Sequence, residues 1–189
     1  MSTAVETFTL LDNFTAAERS QFGTAWYLQS DQSMGGESEG HFEVHNEASP
    51  PYLAFTGQVS LQNRLRPEDG GYIQVSLPLL YSRRLYDASA LTGVRLVCQS
   101  QQDSPIHPQH YEVRLQTREL SMPWQYYRCR FQPSQDTQTL DLPFSAFEAV
   151  RTSHPLNPAY LLLLGIVAGQ DNFTPQLNMY KVGFYGSSQ

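Results

Sequence analysis

Histidine is the residue type in this chain whose spacing comes nearest to a metal site. His107 and His110 lie three residues apart in a proline-containing loop, while His41 and His45 lie four apart and share one face of a predicted strand. Four imidazoles could bind zinc if the fold brought them together. Nothing in the sequence requires that they meet. Histidines that are solvated or hold one hydrogen bond are therefore the favoured interpretation, and we expect neither a metal nor another cofactor.

Carboxylates are the second candidate for chemistry. Asp31, Glu37 and Glu39 fall in one loop, where a hard cation such as calcium would accept them together with loop carbonyls. Solvated loop acids are the favoured alternative. The chain has no nucleophile elbow, no lysine-containing phosphate loop and no zincin histidine pair. A lyase or metal-dependent hydrolase would need a convergent polar cluster that the sequence does not show, so we expect no enzyme activity.

The segment Trp26–Gly40 has the most unusual composition in the chain. A bulky aromatic residue precedes a polar turn, followed by a methionine, two glycines and a serine. Two adjacent glycines indicate positive φ or a close approach of the backbone. The favoured interpretation is a buried corner that fixes how the first strands pack, and the alternative is a rim loop that contacts a ligand or partner. Under that alternative the candidate binding residues are Trp26, Asp31, Met34, Gly35, Gly36 and Ser38.

Aromatic side chains elsewhere are candidates for a contact surface. Aromatic and arginine side chains dominate the hot spots of protein interfaces, and Trp or Tyr platforms bind sugar rings. Tyr72, Trp124 and Tyr126 are the candidates that we single out. Core packing is the more ordinary role for each of them, so their participation in binding is a hypothesis.

Short strands must position all of these residues. Period-two alternation is clear in Tyr111–Thr117, where apolar and polar side chains face opposite ways. Leu161–Val167 is apolar on both faces, which predicts a central strand. Strands at this spacing predict an all-β antiparallel sandwich or barrel. The predicted strands are Thr7–Leu11, Glu39–His45, Tyr52–Gln62, Gly71–Leu77, Thr92–Gln99, Tyr111–Thr117, Trp124–Gln132, Thr137–Leu142, Tyr160–Ala168 and Leu177–Tyr185.

The sequence predicts little helix and a single domain. Thr15–Phe22 carries a capping-box pattern and predicts one short helical turn, and Ser145–Val150 predicts another. A length of 189 residues suits a single β-sandwich domain over residues 1–189, with its core at about 7–186.

Charge and hydropathy exclude several classes of partner. The net charge is −6, and the densest basic cluster is only Arg128 and Arg130, so we expect no binding to nucleic acid. No apolar run approaches the ~20 residues of a membrane span. The N-terminus lacks the features of a signal peptide. We therefore expect a cytoplasmic protein, associated with a membrane only through a partner, whose Cys98 and Cys129 act as small buried hydrophobic residues.

The segment Ser30–Ser38 resembles the (N/S)D-x-x-MGG-x-S signature of the complex I intermediate-associated protein 30 family, with Trp26 upstream as in that family. The Met-Gly-Gly block is fairly specific. The other blocks are individually weak, but they occur in the family's order along nearly the whole chain. These blocks are Phe55–Leu61, Gly70-Gly71-Tyr72, Tyr111–Leu115, Tyr127–Phe131, Leu140–Phe147 and Leu164–Ile166.

The resemblance implies a jelly-roll sandwich that is similar to galactose-binding domains and to some carbohydrate-binding modules. It also implies a non-enzymatic role, because members assist assembly of the membrane arm of respiratory complex I and related domains act in photosystem biogenesis. We therefore expect an assembly factor that binds subunits of a membrane electron-transfer complex. The alternative is a module that binds a carbohydrate or another small ligand. The family has no agreed catalytic residues, so none is assigned here.

Overall fold

A computed structural model describes residues 5–63, 65 and 71–188. Over these residues the chain forms two six-stranded antiparallel sheets. The first sheet has the order β3-β4-β12-β6-β9, with β1 beside β12. Its strands are β1 (Val5–Asp12), β3 (Glu39–His45), β4 (Tyr52–Gln58), β6 (Gly93–Ser100), β9 (Gln138–Pro143) and β12 (Gln176–Ser188).

The second sheet has the order β10-β8-β7-β11-β5-β2. Its central strand is β11, which pairs with β7 on one side and β5 on the other, as the two-faced apolar pattern predicted. The strands are β2 (Tyr27–Ser30), β5 (Tyr72–Pro78), β7 (Tyr111–Thr117), β8 (Tyr126–Phe131), β10 (Glu148–Val150) and β11 (Leu161–Gly169).

The hydrophobic core lies between the two sheets. Alternate residues of each strand point into it, because successive side chains of a strand face opposite sides. The free cysteines Cys98 and Cys129 are buried in this core. Burial raises the pKa of the Cys98 thiol to about 12. The largest fully buried side chains include Tyr111, Tyr127, Phe14, Phe55 and Phe184.

The predicted strands are confirmed within a few residues, but two short strands went unpredicted. β2 has only four residues and is polar or exposed along its length. β10 has three residues and lies where a helical turn was predicted over Ser145–Val150; a short 3-10 helix occupies only Phe144–Ala146. Both strands lie at edges of the second sheet. Gly70, the first residue of the second glycine pair, lies outside the described residues.

The helical turn predicted over Thr15–Phe22 is wrong. This segment is an irregular turn, and Phe14 before it has a φ of 60°. The Thr15 hydroxyl donates to the side chain of Asn13 and does not cap a helix. Two further 3-10 helices cover Asp31–Met34 and Pro158–Tyr160. Within the described part of the chain, no helix is long and apolar enough to cross a membrane.

Candidate functional site

An open groove of about 530 Å³ lies on the outer face of the second sheet. Its floor comes from the outward-facing residues of β2, β5, β7 and β11. In β5 and β7, Tyr72, Gln74, Arg114 and Gln116 point outward because the residues between them point into the core. The remaining lining residues are Tyr27, Gln29, Ser33, Met34, Pro123, Trp124, Tyr126, Arg151, Leu163 and Gln170.

Amide side chains form one part of the floor. The Nε2 atom of Gln74 donates to Ser76 Oγ at 2.8 Å, and Ser76 Oγ donates to Gln29 Oε1 at 2.8 Å. Gly165 on β11 leaves space for this cluster, since a Cβ there would lie 2.5 Å from Gln74 Nε2. The amides are therefore held in place by one another, at a depth where they can hydrogen-bond to a ligand.

Arg114 forms the other part of the floor. Its guanidinium carbon lies 4.1 Å from the ring centroid of Tyr126 and 5.3 Å from that of Tyr72. Its Nε atom donates to Glu112 Oε1 at 2.5 Å. The buried Glu112 carboxylate also lies 3.9 Å from Arg128. The arginine is thus fixed by two rings and a carboxylate, an arrangement that orients a planar donor toward the groove.

These charges and rings affect the titration of Tyr72. Burial raises the pKa of its hydroxyl, and the positive charge of Arg114 opposes that increase. Tyr72 therefore remains a neutral hydroxyl at physiological pH, able both to donate and to accept a hydrogen bond.

Trp124 forms one wall of the groove, with 48% of its surface exposed. Its loop is held from below by Gln116, whose Nε2 donates to the carbonyls of Pro123 and Gln125 at 3.0 and 3.1 Å. The side chain of Gln125 then accepts from the backbone N–H of Met122 at 3.1 Å and donates to the carbonyl of Arg151 at 3.0 Å. An exposed indole on a braced loop loses little conformational entropy when it binds.

Four of the nine candidate residues from the sequence come together at this groove. Met34, Tyr72, Trp124 and Tyr126 all line it. Arg114 and the glutamines of the floor were not among the residues predicted from the sequence. The sequence pattern shows only that these residues face outward on their strands. That position alone does not distinguish a groove from ordinary solvated surface.

Four of the other five candidates lie in a buried corner beside the groove; these are Asp31, Gly35, Gly36 and Ser38. The carboxylate of Asp31, which is 1% exposed, accepts from the backbone N–H of Ser38 at 3.0 Å and from its hydroxyl at 2.9 Å. Gly36 packs against that carboxylate, because a Cβ there would lie 2.1 Å from Asp31 Cγ. Gly35 ends the 3-10 helix with a φ of 89°. The signature residues therefore build a tight turn, as the favoured interpretation of this segment expected.

Trp26 lies at the opposite end of β2 from Asp31 and is also buried. Its indole N–H donates to Asp12 Oδ2 at 2.8 Å, and only 8% of the residue is exposed. Asp12 also accepts from the backbone N–H of Phe14 at 2.9 Å. Burial raises the pKa of the Asp12 carboxyl, and these hydrogen bonds oppose that increase. The indole therefore supports a buried carboxylate and does not face the groove.

Metal-capable side chains meet at one other place. Within the described residues, one group of at least three side chains could ligate a metal ion, and it consists of His107, His110 and Asp171. His41 and His45 do not join it, and Asp31, Glu37 and Glu39 do not form a group of their own across residues 5–63. The four-histidine arrangement and the three-carboxylate arrangement considered from the sequence are thus both absent from the described structure.

Solved structures that are similar to this chain include carbohydrate-binding modules. A family 11 module of the cellulosomal cellulase Lic26A-Cel5E of Clostridium thermocellum has a TM-score of 0.69 at 12% identity, covering 96% of this chain and 95% of that one. A family 11 module from the same organism, in complex with a β-1,3-1,4-mixed-linked tetrasaccharide, has a TM-score of 0.67 at 12% identity, covering 100% and 99%.

A family 30 carbohydrate-binding module has a TM-score of 0.60 at 10% identity, covering 97% of this chain and 99% of that one. At such identities the likeness shows the fold alone, an antiparallel jelly-roll β-sandwich. No protein with a curated description matches the chain in sequence.

The sequence itself matches a family model. Residues 13–171 match the model described as complex I intermediate-associated protein 30. The match includes the Met-Gly-Gly corner and all but the first and last strands. The protein therefore belongs to the complex I intermediate-associated protein 30 (CIA30) family.

Proposed function

We propose that this chain is a non-catalytic recognition module that helps to assemble a membrane electron-transfer complex, such as respiratory complex I or a photosystem. Membership of the CIA30 family supports the role. We assign the contact surface to the groove on the second sheet, because Tyr72, Trp124, Tyr126 and Arg114 all line it. In this proposal the protein acts in the cytoplasm and reaches the membrane through its client subunit.

The composition of the groove suits protein recognition. Trp, Tyr and Arg supply most hot-spot residues in protein interfaces. Here Trp124 is half-exposed and available to a partner, whereas Arg114 and Tyr126 are already stacked on each other. A partner side chain that enters the groove would therefore meet a preformed floor and one exposed aromatic wall, which lowers the entropy cost of association.

The test is an affinity capture from the native host in mild detergent, with bound proteins identified by mass spectrometry. The wild-type chain is compared with Trp124→Ala and with Tyr160→Ala. Tyr160 is a matched control, since it is 47% exposed and does not line the groove. We expect subunits of one membrane complex to be enriched by the wild type and by Tyr160→Ala, and to be lost with Trp124→Ala. Equal capture by all three chains would show that the groove is not the contact surface.

An oligosaccharide is a second candidate ligand for the same groove. The specific observation in its favour is the composition of the groove, which is lined both by the amides of Gln29 and Gln74 and by the rings of Tyr72 and Tyr126. Amides hydrogen-bond to sugar hydroxyls, and aromatic faces pack on the apolar faces of sugar rings. A structural neighbour that is similar in fold is described in complex with a tetrasaccharide.

A glycan array followed by calorimetry separates the two candidates. Saturable binding of one glycan, weakened by Gln74→Ala and unchanged by Tyr160→Ala, would support the oligosaccharide. Capture of a membrane complex in the absence of glycan binding would support the assembly role. If neither a glycan nor a protein is bound, both proposals for the groove are wrong.

A further inference from the structure

Three metal-capable side chains converge where the loop before β7 meets the loop after β11. His107, His110 and Asp171 each offer one ligand atom, and these atoms lie within 4.8 Å of one another. They meet because β7 begins beside the end of β11, where Tyr111 pairs with Ala168. The cluster is distinct from the groove, although Gln170 at the end of the groove precedes Asp171 in the chain.

His110 is held in a fixed direction. It is 3% exposed, and its ring stacks on Phe173 with 4.0 Å between centroids and 14° between planes. Its Nδ1 atom accepts from the backbone N–H of His107 at 3.4 Å, so the ring proton belongs to Nε2. That Nε2 atom faces Asp171 Oδ2 at 3.2 Å. A buried imidazole therefore points its Nε2 atom directly at a carboxylate.

We propose that His107, His110 and Asp171 form a binding site for a divalent transition-metal ion, for which Zn²⁺ is the appropriate probe. Two imidazoles and a carboxylate suit zinc and its neighbours, whereas calcium and magnesium prefer oxygen ligands alone. Bonds of about 2.0–2.2 Å in a tetrahedral zinc site place ligand atoms about 3.3–3.5 Å apart. The distance of 3.2 Å between His110 Nε2 and Asp171 Oδ2 is close to that spacing.

The fourth position of a tetrahedral ion is reachable from solvent. His107 is exposed, so its ring can rotate to shorten the longest separation in the cluster. Asp171 is about half-exposed, which leaves room for a bound water.

Metal binding changes which ring nitrogen of His110 carries the proton. The ion replaces the proton on Nε2, and a neutral imidazole then carries its proton on Nδ1. The weak 3.4 Å bond from the His107 backbone is given up, since two N–H groups would otherwise face each other. The ion in return links His110 to Asp171, which are 61 residues apart in sequence, and so stabilises the folded state by binding it alone.

Zinc titration of the full chain by calorimetry tests the site. We expect binding of one ion, and an affinity loss for Asp171→Asn and for His107→Ala that is at least the ~10- to 100-fold caused by losing outer partners of a metal site. His41→Ala is the matched control, because it removes an exposed histidine outside the cluster. Asp171→Asn keeps the side-chain shape and a hydrogen-bond acceptor, so loss of folding is not the expected cause.

The tautomer of His110 gives a second readout that adventitious binding to the exposed His107 would not produce. Nitrogen-detected NMR of the imidazoles should show the proton on Nε2 without metal and on Nδ1 with Zn²⁺. Absence of zinc binding, equal affinity in all variants, or an unchanged His110 tautomer at saturation would each overturn the proposal.

Discussion

The groove and the buried corner beside it both contain polar side chains, yet they differ in where their hydrogen-bonding groups point. In the corner, both carboxylate oxygens of Asp31 accept hydrogen bonds from Ser38, and at the other end of β2 the indole of the buried Trp26 donates to Asp12. In the groove, Trp124 is half-exposed and the guanidinium of Arg114 is presented on the outer face of the sheet.

This difference separates two reasons for an unusual sequence. A segment can have an unusual composition because its backbone conformation admits few residue types. Gly36 is an example, since its backbone packs against the Asp31 carboxylate. A segment can also be unusual because a surface is kept available for something outside the chain. The Met-Gly-Gly signature is of the first kind, and we propose that the groove is of the second kind. Substitutions in the two regions should therefore affect different quantities.

The largest effect is expected from Asp31→Ala. The substitution leaves the backbone N–H and the hydroxyl of Ser38 buried without their carboxylate partner. Hydrogen bonds to a charged group contribute about 1.5–3 kcal/mol each, so we expect the free energy of unfolding to fall by about 3–6 kcal/mol. Urea denaturation followed by tryptophan fluorescence measures it.

Asp136→Ala is the control for that experiment, because Asp136 is exposed. It should change the free energy of unfolding by less than about 0.5 kcal/mol. If Asp31→Ala were as mild as this control, the corner would not be a structural element, and a binding role for Asp31 would return.

The sequence predicted the architecture well because the fold depends on a repeated signal. Several long strands carry their own alternation, as in Tyr111–Thr117, and the central strand Leu161–Gly169 is marked instead by its continuous apolar run. The two missed strands, β2 and β10, are short edge strands whose pairing comes from the neighbour and not from their own composition. Tertiary context decides such segments.

The site was harder to predict because its residues come from distant strands. Tyr72 and Tyr126 meet only because Arg114, on a strand between theirs in the sheet, lies against both rings. No local spacing encodes that meeting. The same limit applied to His110 and Asp171, whose contact depends on the adjacent ends of β7 and β11. A single sequence gives the outward-facing positions but not which of them share a groove.

A moderate effect is expected from Trp26→Phe, which removes the hydrogen bond from the indole to Asp12. That bond lowers the pKa of the Asp12 carboxyl against the stronger effect of burial, so its loss should raise the pKa further. The free energy of unfolding should fall by about 2 kcal/mol at neutral pH, where Asp12 is ionised in the unfolded chain and costly to ionise in the folded one.

The sign of the pH dependence follows from the direction of that shift. A carboxyl whose folded pKa is raised contributes stability below its unfolded pKa, and this contribution is lost as the pH rises through the folded value. The deficit of Trp26→Phe should therefore shrink as the pH is lowered through the folded pKa of Asp12. Trp124→Phe is the matched control in the other region and should show no such dependence; a deficit constant with pH would contradict the role given to Asp12.

The smallest effect on stability is expected from Trp124→Ala. The side chain is 48% exposed, and the loop that carries it is braced by Gln116 and Gln125 through backbone carbonyls and amides that the substitution leaves in place. Surface changes of this kind usually alter the free energy of unfolding by less than about 0.5 kcal/mol. The same variant is expected to lose capture of the client in the affinity experiment.

A Trp124→Ala chain that unfolds as easily as Asp31→Ala would show that the tryptophan supports the fold and would remove the contrast between the regions. A chain that is fully stable but no longer captures its client would instead assign the exposed indole to recognition.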